Sequence, residues 1–175
     1  MEFKNLVNER QPSRSYDKER MVEKEKIKEI LEIARLSPSA CNGQPYFITV
    51  ASGEAAKSIA KATQGMGMNG FASDAPVMLV ISEEPYVKTA ALGAKLKKND
   101  YRSIDIGILA AHITLAATEN GLGTCILGWF DDQKIREICQ LSGAVRLVIT
   151  LGYPKEGDKL RKKIRKDEGK LIKEI

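Results

Sequence analysis

The sequence predicts an α+β domain with a mixed central sheet flanked by helices. Three observations predict it. PVMLVI, Pro76–Ile81, is too apolar to be half exposed and reads as a strand covered on both faces. The first long helical segment precedes every strand, and the later strands and helices follow at irregular spacing, unlike a regularly alternating doubly wound sheet. No repeat, composition break or linker interrupts residues 1–175, so the chain reads as one domain.

In chain order, DKERMVEKEKIKEILEIARL (17–36) carries Ile27, Ile30, Leu31 and Ala34 at helical spacing, with lysines and glutamates on the other face. YFITV, Tyr46–Val50, is a short apolar strand, and 54–62 a helix. QGMGMNGFASDAP is glycine-rich and reads as a loop or broken helix before the Pro76–Ile81 strand. Residues 84–102 read as polar and irregular. Residues 103–119 are apolar nearly all round, as in a helix at the centre of a domain, and NGLG supplies a glycine for a left-handed cap. TCILGWF is a strand leaving through Gly128. Asp131 or Asp132 caps a helix running to about Leu141. RLVITL, Arg146–Leu151, is the last strand.

Composition excludes several classes. Hydrophobic residues at 43% and charged residues at 29% are ordinary for a globular chain. No apolar run is long enough for a membrane span, and the N-terminus MEFKNLVNER lacks the apolar centre of a signal peptide; the expected location is the cytoplasm. The three cysteines, Cys41, Cys125 and Cys139, are widely spaced, without a CxxC pair, and indicate neither a disulfide framework nor a zinc site. The single histidine, His112, lies inside an apolar helix and reads as a packed helix residue. The net charge of +5 is local: nine lysines and arginines follow Pro154, against five acids. That tail has no aromatic residue to stack on a base, which disfavours nucleic acid as a partner.

GMGMNG, Gly65–Gly70, matches GxGxxG, but the helix predicted over 54–62 precedes it and no βαβ unit surrounds it, so it does not read as a dinucleotide fingerprint. Arg10 and Arg14 flank Gln11 and Ser13 on one short segment, and two guanidiniums suit a phosphate through charge-assisted donors. KLRKK, Lys159–Lys163, adds cations that converge on the same anion if the tail folds back. SPSACNGQPYF, Ser37–Phe47, places Ser39, Asn42 and Gln44 between Pro38 and Pro45, more polar chemistry than a plain helix-to-strand connection requires.

Taken in order, four segments resemble the nitroreductase family of flavin enzymes. They are RQPSRSY (10–16), SPSACNGQPY (37–46), IDIG…LAA…GLGTCILG (104–128), and LGYP followed by KLR (151–161). The resemblance covers nearly the whole chain. It implies a nitroreductase-like fold, a bound FMN, and a homodimer with the flavin at the interface. Arg10 and Arg14, with Lys159 and Arg161, would grip the phosphate. Pro38, Ser39 and Asn42 would reach the flavin of the partner subunit. Leu127 and Gly128 would lie beside flavin N5, and Asn69 near the ring or ribityl chain. Gln11 stands where the family usually has a second arginine and Pro12 where it usually has serine, which lowers the positive charge and removes donors.

The activity implied is ping-pong hydride transfer from NAD(P)H through FMN to flat acceptors such as nitroaromatics and quinones. The cofactor carries the chemistry and no acid–base residue is demanded. Residues 83–102 would be the lid over the substrate. Two alternatives stay open: a flavin-binding protein without turnover, for storage or sensing, and a specialised flavin reaction such as dehalogenation.

Overall fold

A computed structural model describes residues 1–175. Four strands, β1 (Tyr46–Ser52), β2 (Val77–Glu83), β3 (Gly123–Leu127) and β4 (Val145–Gly152), form a sheet in the order β1-β2-β4-β3. All three pairings are antiparallel. The parallel component of this α+β fold is an isolated bridge between Pro12 and Thr124. β2 is buried on both faces, as its composition predicts, and its side chains alternate between two cores. Val77, Leu79 and Ile81 face one way, onto α2 (Lys24–Ala34) and α5 (Tyr101–Glu119) through Ile30, Leu109 and Ile113. Met78 and Val80 face the other way, onto α3 (Gly53–Ala62) and α6 (Asp132–Cys139) through Ile59 and Ile135. The result is helices on both sides of one sheet.

Element boundaries follow local chemistry. Gly121, at φ 72°, ends α5: its N–H donates to Thr118 and that of Leu122 to Ala117, the two bonds of a Schellman cap. Asp131 caps α6 by accepting from Lys134 N–H at 3.1 Å, while Asp132 accepts from Val145 N–H at 2.7 Å and fixes the start of β4. His112 Nδ1 lies 2.9 Å from the Ile108 carbonyl one turn back, consistent with a packed helix residue.

Two expectations are corrected, and one helix is added. The helix expected across 17–36 occupies Lys24–Ala34 only, because Asp17 N–H joins the Tyr153 carbonyl at 2.9 Å and Val22 is drawn into the core from extended chain. The N-terminal segment contains α1 (Phe3–Glu9), whose one buried residue, Leu6, leaves no periodic signal. Residues 84–102 are not irregular: they hold α4 (Lys88–Lys97) and the start of α5. α4 buries only Ala90, so its helicity rests on Ala, Leu and Lys propensity more than on an apolar stripe.

Candidate functional site

The N-terminal segment is built into the sheet edge. Ser13 N–H donates to the Thr124 carbonyl at 2.8 Å, beside the Pro12–Thr124 bridge. Tyr16 is buried; its hydroxyl donates to the Ser13 carbonyl at 3.0 Å and pairs with Thr150 Oγ1 at 2.6 Å. Burial pushes the Tyr16 phenol well above its usual range. Two glycines make the approach possible. A Cβ at Gly123 would collide with the Ser13 side chain, and one at Gly152 would lie 2.7 Å from Pro76 Cδ and 3.0 Å from Tyr16 Cδ1. Gly123 of GLGT and Gly152 of LGYP are therefore close-approach positions.

Arg14, held between Ser13 and Tyr16, points into a cleft of about 490 Å³. Asn69, Cys125, Leu127, Gly128 and Trp129 line the same cleft. A Cβ at Gly128 would meet nothing within 4 Å, so its backbone faces open space. Burial pushes the Cys125 thiol up, while the guanidiniums of Arg14, beside it, and Arg161 oppose that shift. Asn69 adopts a left-handed conformation, φ 56°, and its amide donates to the carbonyls of Thr63 (3.1 Å) and Trp129 (3.3 Å). It ties the glycine-rich loop to the exit of β3. Gly65 in that loop lies under the Trp129 indole, where a Cβ would sit 2.9 Å from Nε1. The GMGMNG match thus belongs to a packing loop on the cleft wall. Met68, Phe71, Cys125 and Trp129 are lining residues that the sequence reading did not assign; for Trp129 the available signal was its place directly after Leu127 and Gly128.

Beside the cleft runs a second, open groove of about 260 Å³. Arg10 and Gln11 form one side, and Arg161, Lys163 and Arg165 the other. The tail does fold back onto Arg10. Gln11 Nε2 donates to the Lys159 carbonyl at 3.3 Å, and Gln11 Oε1 accepts from Arg161 N–H at 2.9 Å. The Arg161 guanidinium donates to the Pro12 carbonyl and lies 3.6 Å from Asp158. Lys159 takes part through its carbonyl; its side chain lines neither cavity.

Pro38, Ser39 and Asn42 line neither cavity within one chain. Their connection is a self-bonded unit standing on α5. Buried Asp105 accepts from Ala40 N–H at 3.0 Å, and Ser39 Oγ accepts from Gln44 N–H at 3.0 Å. The Gln44 amide donates to the Asn42 carbonyl at 3.1 Å and to its Oδ1 at 3.2 Å. Cys41, Asn42 and Gln44 all have positive φ, at 52°, 52° and 45°, a strained set that these bonds hold in place. With their oxygens occupied, Ser39 and Asn42 keep donors to offer outward.

Comparisons with known proteins agree with this geometry. Among curated proteins, the oxygen-insensitive NADPH nitroreductase of Helicobacter acinonychis (strain Sheeba) is 27% identical over 163 residues, covering 77% of this chain and 78% of that protein. Among solved structures, the FMN-dependent nitroreductase of Clostridium difficile R20291 superposes with a TM-score of 0.75 at 28% identity, over 95% of this chain and 96% of the other. A nitroreductase family protein of Streptococcus pneumoniae TIGR4 shares the fold with a TM-score of 0.83 at 23% identity, over 99% of this chain and all of the other, 100%. The nitroreductase family's sequence profile matches residues 7–67 and 63–153, and with that span covered the chain belongs to the nitroreductase family.

Proposed function

We propose that this oxidoreductase binds FMN and uses NAD(P)H to reduce flat electron acceptors, nitroaromatics or quinones, by a ping-pong route. The observation that carries the reading is the cleft that brings Arg14, Asn69, Leu127 and Gly128 onto one surface from widely separated parts of the chain. Its volume of about 490 Å³ lies in the roughly 300–1,000 Å³ range of small-molecule sites. The residues fit the cofactor. Gly128 leaves backbone exposed where a side chain would fill the space. Arg14 and, next door, Arg10 and Arg161 supply charge-assisted donors for a phosphate.

Bound FMN supplies reversible two-electron chemistry. The chain's residues bind and orient it. Arg10, Arg14 and Arg161 would hold the phosphate end, and the Gln11 bonds to the Lys159 carbonyl and Arg161 N–H would fix the tail that carries Arg161. Leu127 and the open backbone of Gly128 would border the flavin ring, and Asn69, which ties the loop to the exit of β3, would hold the wall beside it. The open cleft takes nicotinamide and acceptor in turn, so no second nucleotide fold is needed.

The active unit is a homodimer in the cytoplasm, built from the single domain 1–175. Pro38, Ser39 and Asn42 of a second copy complete the flavin site, which accounts for their absence from the cleft of one chain. Exposed Phe47, Ile104, Ile126 and Trp129, each roughly half accessible, support such an interface. No helix is long and apolar enough to cross a membrane.

The test is an absorbance spectrum of the purified protein supplemented with FMN, then treated anaerobically with NADH or NADPH. A bound-flavin spectrum that bleaches and recovers with a quinone is expected. Bound flavin that never bleaches would leave a binding protein without turnover; absence of binding would overturn the reading.

A further inference from the structure

Asp105, in the IDIG segment of α5, lines neither the cleft nor the basic groove. It is 3% exposed and forms no ion pair; Arg102, three residues before it, is taken by Glu83. Its Oδ1 accepts one bond, from Ala40 N–H at 3.0 Å, and its Oδ2 is buried with no partner. The hydroxyls of Ser37 and Tyr46, near the two ends of the Ser37–Phe47 connection, are also buried without partners. Burial first, and the Asp105 carboxylate second, push the Tyr46 phenol up, so these two groups lie within electrostatic reach. A buried carboxylate with no cation and one idle oxygen is a cost to the fold, and an apolar residue of similar size would pack there without it. The use of Asp105 therefore lies in the one bond that it makes.

That bond falls where the connection lacks a cap of its own. Ala40–Asn42 is a single 3₁₀ turn, and its N-cap residue, Ser39, turns its Oγ to Gln44 N–H instead. Without Asp105 the first N–H of the turn would have no acceptor. Cys41 and Asn42 follow in the left-handed region, which persists only where the surroundings over-determine it. The far end of the connection is held from the exit of β2. Glu84 N–H donates to the Pro45 carbonyl at 3.0 Å, and Val87 packs on Gly43, where a Cβ would lie 3.2 Å from its Cγ2. Asp105 fixes the near end, between Ser39 and Asn42. Its neighbour on α5, Ile104, is among the exposed apolar residues that support the interface, so one helix serves both the interface and the turn.

We infer that Asp105 is a positioning residue for the flavin held by the partner subunit: by holding Ala40 it sets where Ser39 and Asn42 stand toward that flavin, without touching it. The inference rests on the reading of the connection as part of a second copy's site.

The test uses the whole protein and three variants. Asp105→Ala removes the bond, and Asp105→Leu removes it while filling the volume, which gives the same reading where the alanine variant fails to fold. Asp105→Asn keeps an acceptor for Ala40 N–H and turns its NH₂ toward the idle hydroxyls. By flavin fluorescence, FMN should bind about tenfold more weakly to the Ala and Leu variants, the loss of one bond to a charged acceptor, and within about threefold of native to Asp105→Asn. Full affinity in Asp105→Ala and Asp105→Leu, or equal loss in all three variants, overturns the inference.

Mixed dimers then separate action on the partner from damage to the chain's own fold. Asp105→Ala paired with Arg14→Ala should regain one normal site, because both lesions fall on the other. Asp105→Ala paired with Ser39→Trp should regain none, because each site then faces one altered connection. The reverse pattern would confine Asp105 to its own chain and overturn the inference. The pair Ser39→Trp with Arg14→Ala is the control: if it regains no site, the two-copy reading of the connection fails, and the inference with it. Failure of the unaltered protein to bind FMN would overturn the cleft reading itself.

Discussion

The side-chain amide of Gln11 bridges two backbone groups of the tail, donating to the Lys159 carbonyl and accepting from the Arg161 N–H. Gln11 thereby acts as a backbone clamp. It contributes position where arginine would contribute charge, and it places Arg161 against Pro12 and opposite Arg10.

Removing the clamp should loosen the tail without unfolding the body. Gln11→Ala loses both bonds, and the Arg161 amide is expected to exchange its hydrogen at least about fivefold faster, since each such bond contributes roughly 1 kcal/mol. Gln11→Arg should fail to restore protection, because guanidinium has no acceptor for the Arg161 N–H. Exchange followed by mass spectrometry on peptides covering 155–165 checks both; unchanged protection would mean that other contacts hold the tail.

Arg14→Ala should weaken FMN binding roughly 10- to 100-fold, the loss expected for one charge-assisted contact. The fold should persist, because Ser13 and Tyr16 carry the segment's attachments. Flavin fluorescence titration and thermal melting read the two effects separately. Full affinity in the variant would remove Arg14 from the phosphate site.

Gly152→Ala is expected to destabilise the protein by about 1–3 kcal/mol, the usual cost of overpacking. The added methyl would press on Pro76 and Tyr16 together. Urea unfolding measures the change. Gly128→Ala, at an open position, should leave stability within about 0.5–1 kcal/mol while changing flavin affinity or spectrum.

Tyr16 should make stability fall at alkaline pH. Its phenol ionises from about pH 10 when unfolded but is held neutral by burial when folded. The stability it adds is complete below pH 10, and above it the unfolded state sheds a proton that the folded state keeps. The advantage of the native protein over Tyr16→Phe should therefore shrink by up to about 1.4 kcal/mol per pH unit above pH 10. Urea midpoints between pH 8 and 11 test it, and a constant difference would contradict the assignment.

Subunit mixing tests whether the Ser37–Phe47 connection serves a second copy. Ser39→Trp and Arg14→Ala homodimers should each bind FMN poorly at both sites. Mixed dimers should regain one normal site, because both lesions fall on the other. If mixing recovers no flavin, the connection acts within its own chain.

Much of the architecture was legible because it rests on periodicity. β2 is buried nearly along its whole length, and α5 is apolar nearly all round although Ile104, Gly107 and Ala111 are exposed, so both runs stand out in the sequence. α1 and α4 were not legible, since each buries one residue and leaves the apolar pattern silent. At the site, Arg14, Asn69, Leu127 and Gly128 were found through motif order, and the structure gathers them into one cleft. Lys159 illustrates the limit. Its spacing to Arg161 marks both as cations, but in an extended segment alternate residues face alike only while the chain stays straight, and the Gln11 bridge turns the Lys159 carbonyl, and not its ammonium, toward the body. Trp129 and Cys125 became lining residues through tertiary closure over Gly65 and against Arg14, which local sequence does not encode.

The Gln11–Arg161 bridge joins positions 150 residues apart. During synthesis the sheet and both cores can form before residues 155–165 emerge, but the groove cannot close until they do. Retention of an anionic ligand at this end therefore depends on two walls that are made far apart in time.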